Sequence, residues 1–169
     1  MKYLYLVLAL LLVTGCADKH KLIKSSDTSV KLETKKKVYV AVPKNGTFNN
    51  RTYKHSGKYV ADAVLKAFSP YNTNVEIGQS YQSFDVAVSN AKAYDYMIYS
   101  TILHWEDRAT EWNGLPDRMS VKVDVIDTKT KQLISSVTVE GTSGLGTFGG
   151  DHPQDLLKAP LEEFANSLY

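Results

Sequence analysis

Two runs of alternating side chains leave the second half of this chain little freedom. Over residues 118–126 the apolar Met119, Val121, Val123 and Val125 alternate with Ser120, Lys122 and Asp124. Over residues 133–141 the alternation resumes, with Leu133, Val137 and Val139 on one face. A period of two is the spacing of a strand with one face buried. The polar segment Asp127-Thr128-Lys129-Thr130-Lys131 joins the two runs, so they close into an antiparallel hairpin with one wet face. A sheet must form, and other elements must cover its dry side.

The rest of the chain supplies strands and helices to match. Residues 95–105 predict a longer strand, with Met97, Tyr99, Thr101, Leu103 and Trp105 on one face and Tyr96, Ile98, Ser100, Ile102 and His104 on the other. Val38-Tyr39-Val40-Ala41-Val42 stops at Pro43 and reads as a short buried strand, with Val75-Glu76-Ile77 as another. Ser56 opens a helix to Phe68 whose Val60, Val64, Ala67 and Phe68 form one apolar stripe, ended by Pro70 and Asn72. Residues 80–93 predict a second helix, with Phe84, Ala87, Val88 and Ala91 on one side. A last helix opens near Asp151, Pro153 and Gln154 and carries Leu157, Leu161, Phe164, Ala165 and Leu168, with Pro160 expected to kink or split it. The order β-α-β-α-β-β-β-α predicts an α+β, two-layer fold: a mixed five-stranded sheet with an antiparallel hairpin and three helices on one face.

The amino terminus concerns location rather than fold. Lys2 is followed by an unbroken apolar run over residues 3–13, then Thr14, Gly15 and Cys16, the single cysteine of the chain. The run is too short to span a bilayer and has the layout of an export signal. Val13-Thr14-Gly15-Cys16 resembles the lipobox of bacterial lipoproteins. The resemblance implies cleavage before Cys16 and a lipid on its sulfur, so the predicted organisation is a signal peptide over 1–15, a lipidated Cys16 with a flexible tether over 16–36, and one globular domain over 37–169. The tether reading rests on the Lys-, Ser-, Thr- and Asp-rich composition of residues 17–36. About twenty flexible residues average on the order of 25 Å end to end, enough to float a domain clear of the lipid. The net charge of +2 includes Lys2 and falls to +1 without it, leaving no electrostatic footprint for nucleic acid. With one cysteine, the domain has neither a disulfide nor a cysteine-type zinc site and must hold together by packing.

No motif in the chain specifies a reaction. Gly144-Leu145-Gly146-Thr147-Phe148-Gly149 matches the letters of a dinucleotide loop. The chain ends at Tyr169, before the strand and distal acidic residue that such a loop requires, so no nucleotide is expected. No Gly-x-Ser-x-Gly elbow is present. His104-Trp105-Glu106-Asp107-Arg108 gathers charged and aromatic groups at the end of a strand. Paired carboxylates there permit acid/base work, and His104 with Glu106 could begin a metal site, but no third ligand follows at a metal-site spacing. The simpler reading is an ion-paired strand end with Trp105 on the core. Trp112 stands in the following loop. We therefore assign no catalytic residue, no metal ligand and no cofactor. Trp105, Glu106, Arg108, Trp112, Asp151 and His152 form a candidate partner-binding surface, with Cys16 as the lipid attachment.

Residues 101–108, then Trp112, then Phe148-Gly149-Gly150-Asp151-His152-Pro153-Gln154-Asp155-Leu156-Leu157 resemble a family of bacterial lipoproteins, the domain of unknown function 4823 family. At the level of fold the element order is also similar to periplasmic accessory lipoproteins: the peptidoglycan synthase activator, the curli and exopolysaccharide secretion lipoproteins, and the amino-terminal domain of the Tol translocation protein. These resemblances imply a non-enzymatic accessory or binding module of the cell envelope, with an envelope protein or peptidoglycan as partner. Two alternatives stand beside it, a secretion-pore-associated subunit and an envelope polymer hydrolase using Glu106 or Asp107. In such lipoproteins an Asp after the lipidated Cys favours the inner membrane. Ala17 stands there, which implies the outer membrane, periplasmic face.

Overall fold

A computed structural model describes residues 18–26, 30–81, 83–108, 115–144 and 152–169. Its main sheet has six strands in the order β1-β8-β7-β6-β2-β5. These are β1 (Lys19–Ser26), β2 (Val38–Val42), β5 (Val75–Ser80), β6 (Tyr96–Glu106), β7 (Arg118–Asp127) and β8 (Leu133–Thr142). β1, β8, β7 and β6 run antiparallel in turn, whereas β2 lies parallel to both β5 and β6. The parallel pairs require crossovers, supplied by helix α1 (Ser56–Phe68) between β2 and β5 and helix α2 (Phe84–Asn90) between β5 and β6. A 3-10 turn (Asp155–Leu157) leads into helix α3 (Lys158–Leu168). Pro160 therefore falls in the first turn of α3, where a missing N–H costs nothing.

The class is α+β with a mixed sheet and an antiparallel hairpin, as the alternation predicts. α1 and α3 bury Val60, Val64, Phe68, Leu161 and Phe164 against Val38, Val40, Ile98, Val121, Val123, Val137 and Val139 on one face. α2 departs from the expectation of three helices on one face. Its Ala87, Val88 and the following Ala91 pack on Tyr39, Ala41, Met97 and Ile126, the opposite face. The reason lies in β2, whose residues 38–41 are buried on both sides. A central strand apolar at every position must be covered twice. Tyr81 lies in the same cluster, and its phenol donates to the Ser100 carbonyl. Burial first, then the neighbouring Tyr99, push that phenol well above its ordinary value.

The sixth strand is a second departure. Residues 19–26, read as part of a tether, pair antiparallel with β8 from Lys19 opposite Thr142 to Ser26 opposite Ser136. KHKLIKSS carries no strand pattern. What makes it a strand is the free edge of β8, whose N–H and C=O groups need partners. Leu22 packs on the core from there. Further along, Leu32 is itself in the core, and its N–H donates to the Leu168 carbonyl at 2.8 Å. Ordered packing thus begins well before residue 37.

A small hairpin, β3 (Thr47–Phe48) and β4 (Arg51–Thr52), precedes α1. Asn49 and Asn50 both have positive φ, 47° and 62°, the backbone of a two-residue type I′ turn, which asparagine tolerates. Ser56 does not cap α1. Its hydroxyl accepts from the Gly46 N–H at 2.8 Å and donates to the Tyr53 carbonyl at 2.7 Å. The early N–H of Gly57 is satisfied instead by Asn45 Oδ1 at 3.1 Å.

Candidate functional site

The far end of β6 is shaped by one extra residue. The β6–β7 register shifts between Ile102, opposite Val121, and His104, opposite Ser120. Leu103 is the inserted residue of this bulge and is 56% exposed. A bulge reverses which face later side chains point to. Strict alternation places Trp105 with Met97 and Tyr99. The bulge turns it to the helical face, opposite Met119 and in one core cluster with Ile98, where it is 1% exposed. His104 and Glu106 move to the other face of the sheet. Gly46 closes over the indole: a Cβ there would lie 2.5 Å from Trp105 Cβ, so only glycine allows the approach.

Glu106 is 3% exposed and both of its oxygens are engaged. Arg108 Nε donates to Oε1 at 2.7 Å, its terminal nitrogen reaches the same oxygen, and His104 Nε2 stands 3.4 Å from Oε2. A buried carboxylate is tolerated only when paired in this way. The His104 ring meets Phe48 edge-on at 5.0 Å between centroids, which ties the small hairpin to the same spot.

A second buried carboxylate supports the first. Asp117 is fully buried. Its Oδ1 accepts from the Arg108 N–H at 2.5 Å, its own N–H donates to Ser143 Oγ at 2.8 Å, and its carbonyl accepts from the Ser143 N–H at 3.0 Å. The segment leaving β6 is therefore pinned to the start of β7 and the end of β8. Asp107 faces outward, with His152 Nδ1 at 3.6 Å, and the His152 N–H donates to Asp155 Oδ2 at 3.0 Å. Asp107 and Trp105 also edge a shallow hollow of about 310 Å³ lined by Arg51, Tyr53, Lys54 and Tyr59.

The structure thus brings together Trp105, Glu106, Arg108 and His152, four residues of the predicted surface. Trp105 and Glu106 offer almost no surface themselves and support it from beneath, which corrects their reading as contact residues. Arg108 and His152 remain accessible. Cys16, Trp112 and Asp151 lie outside the described residues, as does most of the glycine segment 144–149. Asp117, Ser143, Gly46 and Phe48 are the members that sequence reasoning missed. The local signal for Gly46 is only the turn dipeptide Asn45-Gly46, and nothing local marks Asp117 as buried. Among the described residues, no three His, Cys, Asp or Glu side chains gather as metal ligands. No helix there is long and apolar enough to cross a membrane.

Comparison with known proteins places this arrangement. The family described as Domain of unknown function (DUF4823) matches residues 30–168. None of the curated proteins matches this chain. Among solved structures, the PelC dodecamer from Paraburkholderia phytofirmans is similar with a TM-score of 0.62 at 13% identity, covering 90% of this chain and 97% of that one. A single-substitution PelC dodecamer from the same organism gives 0.61, 13%, 89% and 98%. Lipoprotein GNA1162 from Neisseria meningitidis gives a TM-score of 0.44 at 14% identity, over 79% of this chain and 99% of that one. The PelC likeness is one of fold.

Proposed function

This chain belongs to the DUF4823 family, and from that premise we propose that it is a lipid-anchored envelope protein that acts by binding and catalyses no reaction. The observation that carries this reading is the state of Glu106. The carboxylate best placed for acid/base work is buried and held on both oxygens by Arg108 and His104, an arrangement that suits holding a strand end in shape. The lipid attaches at Cys16, and Ala17 favours the outer membrane, periplasmic face. Arg108 and His152, with Trp112 and Asp151 from the adjoining segments, present the surface to an envelope protein or to peptidoglycan. The test is crosslinking in intact cells from a photoreactive residue at position 112, read by mass spectrometry. A reproducible partner that disappears with Arg108→Ala is expected. Crosslinks unchanged by that substitution would rule this surface out.

A second reading follows from the PelC likeness, which spans nearly the whole of both chains, the neighbour being a dodecamer. This chain would then be a subunit of a ring associated with a secretion pore. Its two sheet edges, β1 and β5, could meet head to tail in a closed ring. Detergent-extracted protein that shows rings in negative stain supports this reading, and a monodisperse monomer ends it.

A further inference from the structure

The register of the sheet delivers the anchoring end of the chain to the strand end just described. Lys19, the first residue of β1, lies opposite Thr142; Thr142 lies opposite Arg118, and Arg118 opposite Glu106. These four residues make one row across four strands. Cys16 precedes Lys19 by three residues, so its Cα falls within about 11 Å of Lys19 at ~3.6 Å of reach per residue. A flexible tether would leave the domain free to tumble above the lipid. A strand paired along β8 from Lys19 to Ser26 does not. Asp18 adds a further tie, accepting from the Gly144 N–H at 2.9 Å.

We propose that the edge of this strand end carrying Lys19, Leu115 and Arg118, beside the surface of Arg108 and His152 and not over it, rests on the lipid headgroups of the membrane that holds the Cys16 lipid. The proposal deepens the anchored reading above and rests on the lipidation of Cys16. What this end exposes fits a headgroup layer. Leu115 is 49% exposed just ahead of β7, and Leu103 stands out on the bulge. Lys19, Lys21 and Arg118 are exposed cations, while the carboxylates of Glu106 and Asp117 are buried. Glu140, opposite Lys21, and Asp18 are exposed acids at this end, and Asp107, next to Glu106, is a third accessible one, with His152 beside it. Apolar side chains among cations are the combination that anionic lipid surfaces attract. The other end of the sheet, at the turn carrying Thr130, lies about 30 Å away along β6, at ~3.3 Å per residue.

The experiment uses the full chain, exported and processed in a bacterial host. Acylation occupies the Cys16 sulfur, so Leu115→Cys and Thr130→Cys each supply a single free thiol for a fluorophore. The labelled proteins are placed in vesicles of phosphatidylethanolamine and phosphatidylglycerol containing a lipid with a nitroxide on its headgroup. Quenching several-fold stronger at position 115 than at 130 is expected, and Lys19→Glu with Arg118→Glu should weaken it. Equal quenching at the two positions, or stronger quenching at 130, overturns the proposal. Intact mass of the same preparations keeps the two ideas apart. Acylated protein with equal quenching overturns the orientation alone, whereas an unmodified Cys16 overturns the anchored reading and the orientation with it.

Discussion

Gly46 and Trp105 touch so closely that the backbone of one takes the place of a side chain against the other. A Cβ on Gly46 would meet Trp105 Cβ at 2.5 Å and Ile102 Cγ2 at 2.8 Å. The Gly46 N–H is held by Ser56 and its carbonyl by the Tyr53 N–H at 2.9 Å, so the loop cannot retreat without breaking the start of α1. Gly46→Ala should therefore cost about 1–3 kcal/mol, the usual penalty for overpacking a core. Thermal unfolding followed by circular dichroism checks this. A melting temperature equal to the parent's would contradict the contact.

Leu32 tests where the folded unit begins. It is buried at 5% exposure, and its N–H is bonded to Leu168. Leu32→Ala should cost roughly 2–3 kcal/mol, toward the lower end for a buried leucine because the site lies at the margin of the core. Urea unfolding with an unchanged m-value and a lower midpoint is the expected result. A midpoint that does not move would return these residues to a tether.

Glu106 and Arg108 should behave as a unit. Glu106→Gln removes a charge partner of the Arg108 guanidinium at a nearly buried site, at a cost of roughly 1–3 kcal/mol, since Arg108 can still reach water. Arg108→Ala in the same background should then cost less than it does alone. A double-mutant cycle by urea denaturation reads the coupling, and strictly additive effects would refute the pairing.

Asp95 and Asp127 set the response to acid. The Lys37 backbone N–H, bonded to Asp95 Oδ2 at 3.1 Å, and then the lysines Lys129 and Lys36 hold the Asp95 carboxyl below its ordinary 3.8. The Thr130 and Lys129 backbone N–H groups hold Asp127 below the same value. A group lowered in the folded state contributes stability that is fully present above 3.8 and is lost as pH falls through the lowered value. Asp95→Asn and Asp127→Asn should each reduce stability at neutral pH and flatten its fall below pH 3.8. Denaturant midpoints measured across that range decide it: an acid limb as steep as the parent's counts against the assignment.

Local periodicity carried much of the architecture because it records which side of an element is buried. The alternation at Met119, Val121, Val123 and Val125 and the stripe at Val60, Val64 and Phe68 both emerge on the core they imply. The crowded pentapeptide 104–108 also proved to be a structural junction, as its ion-paired reading expected. The roles within it were not readable from the chain. Trp105 changes face through a bulge that no residue type announces. Glu106 is held by His104, which meets Phe48 of a hairpin more than fifty residues earlier, and by Arg108 two residues later.

Residue order alone settled the α+β class, the β7–β8 hairpin and the family, because each is written in neighbouring side chains or in their spacing. The folded chain alone decided that Lys19–Ser26 is a strand, that α2 crosses to the second face, and that Lys19, Thr142, Arg118 and Glu106 fall in one row across four strands. Those outcomes depend on an unpaired edge, a strand buried on both faces and a shifted register. Each of these is a relation between segments far apart in sequence, and it exists only once those segments meet.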